Sequence, residues 1–239
     1  MILGNWKMHT TRESALTLAS AMRDLATQSD VPVGICPPAV WLDPICQTLR
    51  DSRLWVGAQD CVGDGFGAHT GCVNAAMLAD VGCQFVLLGH SERRARFAEH
   101  TDGLLPAVAA VLETGMFPVL CVGESLAERQ SGDAISVVES QVRPLLQAGL
   151  DLSGVVLAYE PVWAIGSGLT ATPADIAEMH RAIRAVLGLD DAVVLYGGSV
   201  SPDSAAEIFS VPEVSGALVG GASLDVNKFA AVIAAWEQR

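Results

Sequence analysis

Two residues raise the question of what chemistry this chain can do: a glutamate closing an apolar run and a histidine heading a helix-like one. Glu160 ends residues 155–160 and precedes Pro161. A carboxylate at such a strand end loses part of its hydration and becomes a candidate general base. His90 lies between the apolar residues 85–89 and Ser91-Glu92-Arg93-Arg94. The positive end of a helix favours a neutral imidazole, which can donate to a carbonyl and pass protons between oxygens. Lys7 follows Asn5 by two positions near the end of the first apolar run. Strand alternation puts both side chains on one face, where an ammonium and an amide could stabilise an enediolate oxygen.

Glycine supplies the next signal. Gly197-Gly198-Ser199 and Gly220-Gly221 each follow an apolar run, and such loops let main-chain N–H groups approach an anion. The stretch 161–172 that separates Glu160 from the next helical pattern is longer than the usual connection, as lids are. Each feature taken singly has a plainer role open to it. Glu160 could pair with an arginine, His90 could cap or pack, Lys7 could be solvated, a Gly-Gly could be a turn, and the long loop could be packed surface.

These residues need elements to bring them together. Apolar, β-rich runs recur at residues 1–5, 31–36, 54–59, 85–89, 118–122, 155–160, 192–196 and 217–220. Helical periodicity lies between several of them, at 12–25, 104–113, 134–146, 173–187 and 225–236. Thr172-Pro173 and Ser201-Pro202 read as helix starts. Eight β-then-α units predict a single-domain α/β fold, the closed (β/α)8 barrel, over residues 1–239. In that fold every strand end opens on one rim, so Asn5, Lys7, His90, Glu160 and both glycine pairs converge.

Bulk properties narrow the function further. The 239 residues are 51% hydrophobic and 17% charged, which excludes a disordered chain. The net charge of −13 argues against nucleic acid or an anionic membrane as partner. No segment reaches membrane-spanning length, and no signal-peptide stretch opens the chain. The six scattered cysteines fit reduced thiols in a cytoplasmic protein, and the histidines show no metal-ligand spacing.

Longer matches then accumulate in order along the chain. Gly4-Asn5-Trp6-Lys7-Met8, Gly57-Ala58-Gln59-Asp60, Ala68-His69-Thr70-Gly71, Gly89-His90-Ser91-Glu92-Arg93-Arg94 and Cys121-Val122-Gly123-Glu124 are followed by Ala158-Tyr159-Glu160-Pro161-Val162-Trp163-Ala164-Ile165-Gly166. Tyr196-Gly197-Gly198-Ser199 and Leu218-Val219-Gly220-Gly221-Ala222-Ser223 complete the set. Together they resemble the triosephosphate isomerase family, and so a TIM barrel.

The resemblance implies interconversion of dihydroxyacetone phosphate and glyceraldehyde 3-phosphate, a step of glycolysis and gluconeogenesis, with no metal or organic cofactor. Glu160 would be the base, His90 a neutral electrophile, Lys7 and Asn5 the holders of substrate oxygens, and Glu92 a supporting acid behind the site. Gly166, Ser199, Gly220 and Gly221 would bind phosphate. Pro161, Val162, Trp163, Ala164 and Ile165 would open a lid ending at Thr172, latched by Tyr196 and Ser199. Thr70 matches an interface threonine, so a homodimer is implied, although Cys72 replaces the family's usual glutamate there. Leu169 stands in the lid where lysine is frequent. Another phosphate-binding barrel such as an aldolase would need a Schiff-base lysine or metal cluster, and a catalytically dead scaffold would be expected to have lost the base, histidine or lysine.

Overall fold

A computed structural model describes residues 1–165 and 170–239. Eight parallel strands close into a barrel in sequence order. They are β1 (Ile2–Asn5), β2 (Val33–Cys36), β3 (Trp55–Ala58), β4 (Phe85–Leu88), β5 (Phe117–Val122), β6 (Val156–Tyr159), β7 (Val194–Tyr196) and β8 (Ala217–Val219). β1 pairs with β2 on one side and β8 on the other, which shuts the ring. The observed strands are mostly shorter than the apolar runs. β2 starts at Val33 rather than Val31 because Pro32 has no N–H for the ladder, while its carbonyl accepts from Ile2 N–H at 2.8 Å.

Alternation divides the strand residues between two cores. Leu3, Phe85, Leu87, Val119, Cys121, Ala158, Leu195 and Leu218 fill the barrel. Their neighbours Ile2, Val86, Val122, Leu157 and Val219 point outward against helices. Both faces are therefore apolar, which accounts for the hydrophobic composition. Phe85 is fully buried inside the barrel, and truncating such a side chain to alanine costs about 3–5 kcal/mol.

The outer layer comprises α1 (Arg12–Gln28), α2 (Leu42–Leu49), α3 (Ala75–Val81), α4 (Ser91–Phe97), α5 (Thr101–Glu113), α6 (Leu126–Ser131), α7 (Ala134–Gln147), α8 (Pro173–Leu187), α9 (Pro202–Phe209) and α10 (Val226–Glu237). Thr172 and Ser201 cap α8 and α9 through capping boxes with Pro at the first turn, as their sequences predict. The helices without a sequence signal of their own, α2, α3 and α6, have only six to eight residues each, too few for a 3.6-residue period to stand out. Among the described residues no helix is long and apolar enough to cross a membrane.

Candidate active site

The strand ends place one carboxylate in an unusual setting. Glu160 follows β6, is 1% exposed, and donates its N–H to Val122 O at 2.7 Å. Two glycines make room for it. A Cβ on Gly123 would stand 1.7 Å from Glu160 O, and one on Gly197 would stand 2.9 Å from Glu160 Cγ. The carboxylate accepts from Ser91 N–H, the first residue of α4, through Oε2 at 2.8 Å. Its Oε1 lies 2.9 Å from His90 Nε2, yet has no aligned hydrogen-bond donor among the described residues. A buried carboxylate oxygen without a donor is costly and is free to take a proton.

His90 caps α4, and its Nδ1 accepts from Glu92 N–H at 3.2 Å. That bond keeps a proton off Nδ1 and puts the ring's proton on Nε2, facing Glu160. Burial draws the imidazole pKa down. The negative charge of Glu160 close to Nε2, with that of Glu92 added, outweighs both burial and Lys7, and holds it above its usual value. While Glu160 stands against Nε2, the carboxylate competes with the helix terminus for control of the ring.

Asn5 and Lys7 share the cavity, but by a turn rather than by strand alternation. The strand ends at Asn5, whose Oδ1 accepts Lys7 N–H at 2.9 Å. Lys7 then takes φ 52°, a left-handed conformation that costs a non-glycine residue about 1–3 kcal/mol. Gln59 Nε2 secures the turn, donating to Lys7 O and Cys36 O at 2.8 Å each. Lys7 Nζ reaches Glu92 Oε1 at 2.5 Å. Glu92 is thus an exposed residue on the rim that holds Lys7.

These groups open on a cavity of about 620 Å³, a size suited to a small ligand. Asn5, Lys7, His90, Glu160, Ile165, Ser199, Gly220 and Gly221 all line it, and a Cβ on Gly220 would stand 3.6 Å from Lys7 Cε. A Cβ on Gly221 would meet nothing within 4 Å, so no packing demands glycine there. Beyond Glu160, the residues Val162–Ala164 form a single 3₁₀ turn. Ala164 O accepts from Ser199 Oγ at 2.6 Å, and Trp163 Nε1 donates to Glu124 Oε1 at 2.8 Å. Gly166 and Leu169 lie outside the described residues. Thr172 stands at the far end of the loop as the cap of α8. Tyr196 is buried, and its hydroxyl makes no hydrogen bond to a described residue, whereas Ser199 bonds to Ala164 at the start of the loop. Thr70 lies well apart, in the exposed stretch 64–72.

Two contributors carried no role in the sequence reading. Gln59 is one. Glu124, fully buried, is the other: it accepts from Tyr159 OH at 3.0 Å and from Trp163, and so ties the start of the loop to β6. Burial pushes its carboxyl up, partly offset by donors from Trp163, its own backbone and Tyr159. A polar residue just past a strand end was the available signal for both.

Fold and rim together define a (β/α)8-barrel enzyme of the acid–base kind, with its reactive groups at the carboxyl ends of the strands. A model of the triosephosphate isomerase family matches residues 1–236. The triosephosphate isomerase of Bordetella pertussis is 45% identical, over 98% of this chain and 96% of its own length. That of Pseudomonas aeruginosa strain LESB58 is 44% identical over 97% and 96%. The chain belongs to the triosephosphate isomerase family.

Proposed function

We propose that this protein interconverts dihydroxyacetone phosphate and glyceraldehyde 3-phosphate, with Glu160 as the base. The observation that carries the reading is the buried Glu160 carboxylate, one oxygen lacking an aligned donor, set against His90 Nε2 in the cavity that Lys7 also lines. Glu160 takes the proton from the carbon beside the carbonyl and returns it to the neighbouring carbon, while the hydroxyl proton passes from one substrate oxygen to the other by way of the His90 imidazole, so no atom is gained or lost. Charge then develops on the substrate oxygens. The Nε2 proton of His90, the Lys7 ammonium and the Asn5 amide stand where they can stabilise it. Once substrate separates Glu160 from Nε2, the chief upward pull on the imidazole is gone, and the helix end with its N–H at Nδ1 favours the neutral ring.

Main-chain N–H groups at Ser199, Gly220 and Gly221, with Gly166, take the phosphate. The loop 161–172 closes over the site and excludes water, which protects an enediolate prone to lose phosphate. The protein works as a homodimer. Met8 (90% exposed), Phe66 (77%) and Val40 (71%) leave much apolar surface uncovered, and the exposed loop bearing Thr70 and Cys72 supplies the contact. The six free thiols support a cytoplasmic location.

A coupled assay with glyceraldehyde 3-phosphate, run beside Glu160→Gln over a range of protein concentrations, tests this. Fast turnover that disappears in the variant is the expected result, and specific activity that falls on dilution would report the dimer. A folded wild-type protein without turnover would overturn the proposal.

A further inference from the structure

Among its fourteen cations the sequence has only two lysines, Lys7 and Lys228, and both line the cavity that holds Glu160. No arginine lines it among the described residues. The two lysines are differently placed. Lys7 Nζ is committed to Glu92. Lys228 sits in the first turn of α10, its backbone N–H given to the Asp225 cap at 3.1 Å. Its side chain is exposed and has no ion-pair partner among the described residues.

The surroundings of Lys228 show what that free charge is for. The cavity that both lysines line is also walled by Gly220, by Gly221, open to a ligand, and by Asp203 at the start of α9. Asp203 repels an anion. So does the chain as a whole, at net charge −13. A dianion arriving from solvent therefore meets an unfavourable field everywhere except near a local cation. Lys7 is half-buried and already faces a carboxylate. Lys228 stands at the mouth with a charge on a flexible four-carbon stem.

We propose that Lys228 is a substrate-recruiting residue, whose ammonium draws the phosphate dianion into the glycine-lined end of the cavity and offsets Asp203 there. This rests on the placement of the phosphate in the preceding section. The effect is long-ranged and screened, so salt is the natural probe: the Debye length is about 10 Å at 0.1 M ionic strength.

The test uses Lys228→Gln and Lys228→Arg in the full chain, with circular dichroism to verify folding. At low ionic strength Lys228→Gln should lower kcat/KM for glyceraldehyde 3-phosphate about three- to tenfold, mainly through KM, and Lys228→Arg should restore most of it. The deficit should shrink as salt is raised. It should be larger than any deficit on unphosphorylated glyceraldehyde. Equal kcat/KM for wild type and Lys228→Gln at low salt, or the same loss on both substrates, would overturn the proposal. Titration with inorganic phosphate, read from backbone amide shifts in NMR, gives a second measurement that needs no turnover. Weaker phosphate binding in Lys228→Gln supports the inference and unchanged binding refutes it. A wild type that binds phosphate through Lys228 yet fails to isomerise would sink the proposed reaction and leave this residue's role standing.

Discussion

Gly197→Ala should slow the proposed reaction without removing a single functional group. The added Cβ would stand 2.9 Å from Glu160 Cγ and 3.2 Å from Tyr159 O. Ordinary carbon–carbon contact lies near 3.5–4.0 Å, so the carboxylate must retreat by roughly half an ångström or more. Misplacing a reacting group by about 1 Å costs on the order of a hundredfold, and half of that corresponds to about tenfold, or ~1.4 kcal/mol. Gly197 does not have a positive φ, so backbone strain adds nothing. Gly221→Ala is the informative companion, because its Cβ meets no protein atom within 4 Å and intrudes only on ligand space. Steady-state kinetics with glyceraldehyde 3-phosphate should show the Gly197 loss in kcat and the Gly221 loss in KM. An unchanged kcat in Gly197→Ala, or a loss confined to KM, would refute the steric reasoning.

Three other outcomes are expected. Glu160→Asp withdraws the carboxylate by about a methylene and should reduce kcat about a hundredfold or more while phosphate affinity changes little; undiminished turnover in the assay would exclude Glu160 as base. Burial, with Glu99 opposing the help from Arg93, pushes Asp60 up from 3.8 to about 6, so its charged form weakens the fold and wild-type stability falls as pH rises through 4–6. Asp60→Asn should then stabilise by about 1 kcal/mol at pH 7.5, after allowance for its partial exposure, with the gain fading below pH 4 in urea titrations. Burial pulls His180 down to about 3 from 6.5, so the neutral ring contributes stability that is present above pH 6.5 and lost on acidification toward 3. That displacement corresponds to ~5 kcal/mol; a chemical-denaturation midpoint that is flat in pH over this window, and equally flat in His180→Gln, would show that His180 carries no such burden.

The barrel and its reactive centre were legible because both rest on local pattern. An apolar run ending in Glu160, another ending before His90, and paired glycines after the last two strands are visible without neighbours. What was hidden depends on contacts across the chain. The left-handed turn at Lys7 carries no glycine to mark it, and Gln59, fifty-two positions away, is what secures it. Glu92 reads as a supporting acid behind the site, and only the helix geometry shows that it reaches Lys7 from the rim. Glu124 gains its role only when Trp163 and Tyr159 arrive from the next strand and loop. Strand limits shifted for a backbone reason, as at Pro32, which periodicity does not register.

The first turn of α4 links these groups more tightly than their spacing implies. Two successive backbone N–H groups leave the helix end. That of Ser91 holds the Glu160 carboxylate, and that of Glu92 holds His90 Nδ1. A helix N-terminus carries about half a positive charge, so it holds the Glu160 carboxylate while it keeps the ring's proton on Nε2. To act on a substrate, Glu160 has to leave Ser91. Its departure leaves an exposed donor behind and removes the anion that raises His90, so moving the base and neutralising the ring are one event rather than two. The Glu92 bond at Nδ1 survives that movement, because it belongs to the helix and not to the carboxylate. In the proposed reaction the same terminus restores this arrangement when product departs, and His90 faces the substrate as a neutral donor only while Glu160 is engaged.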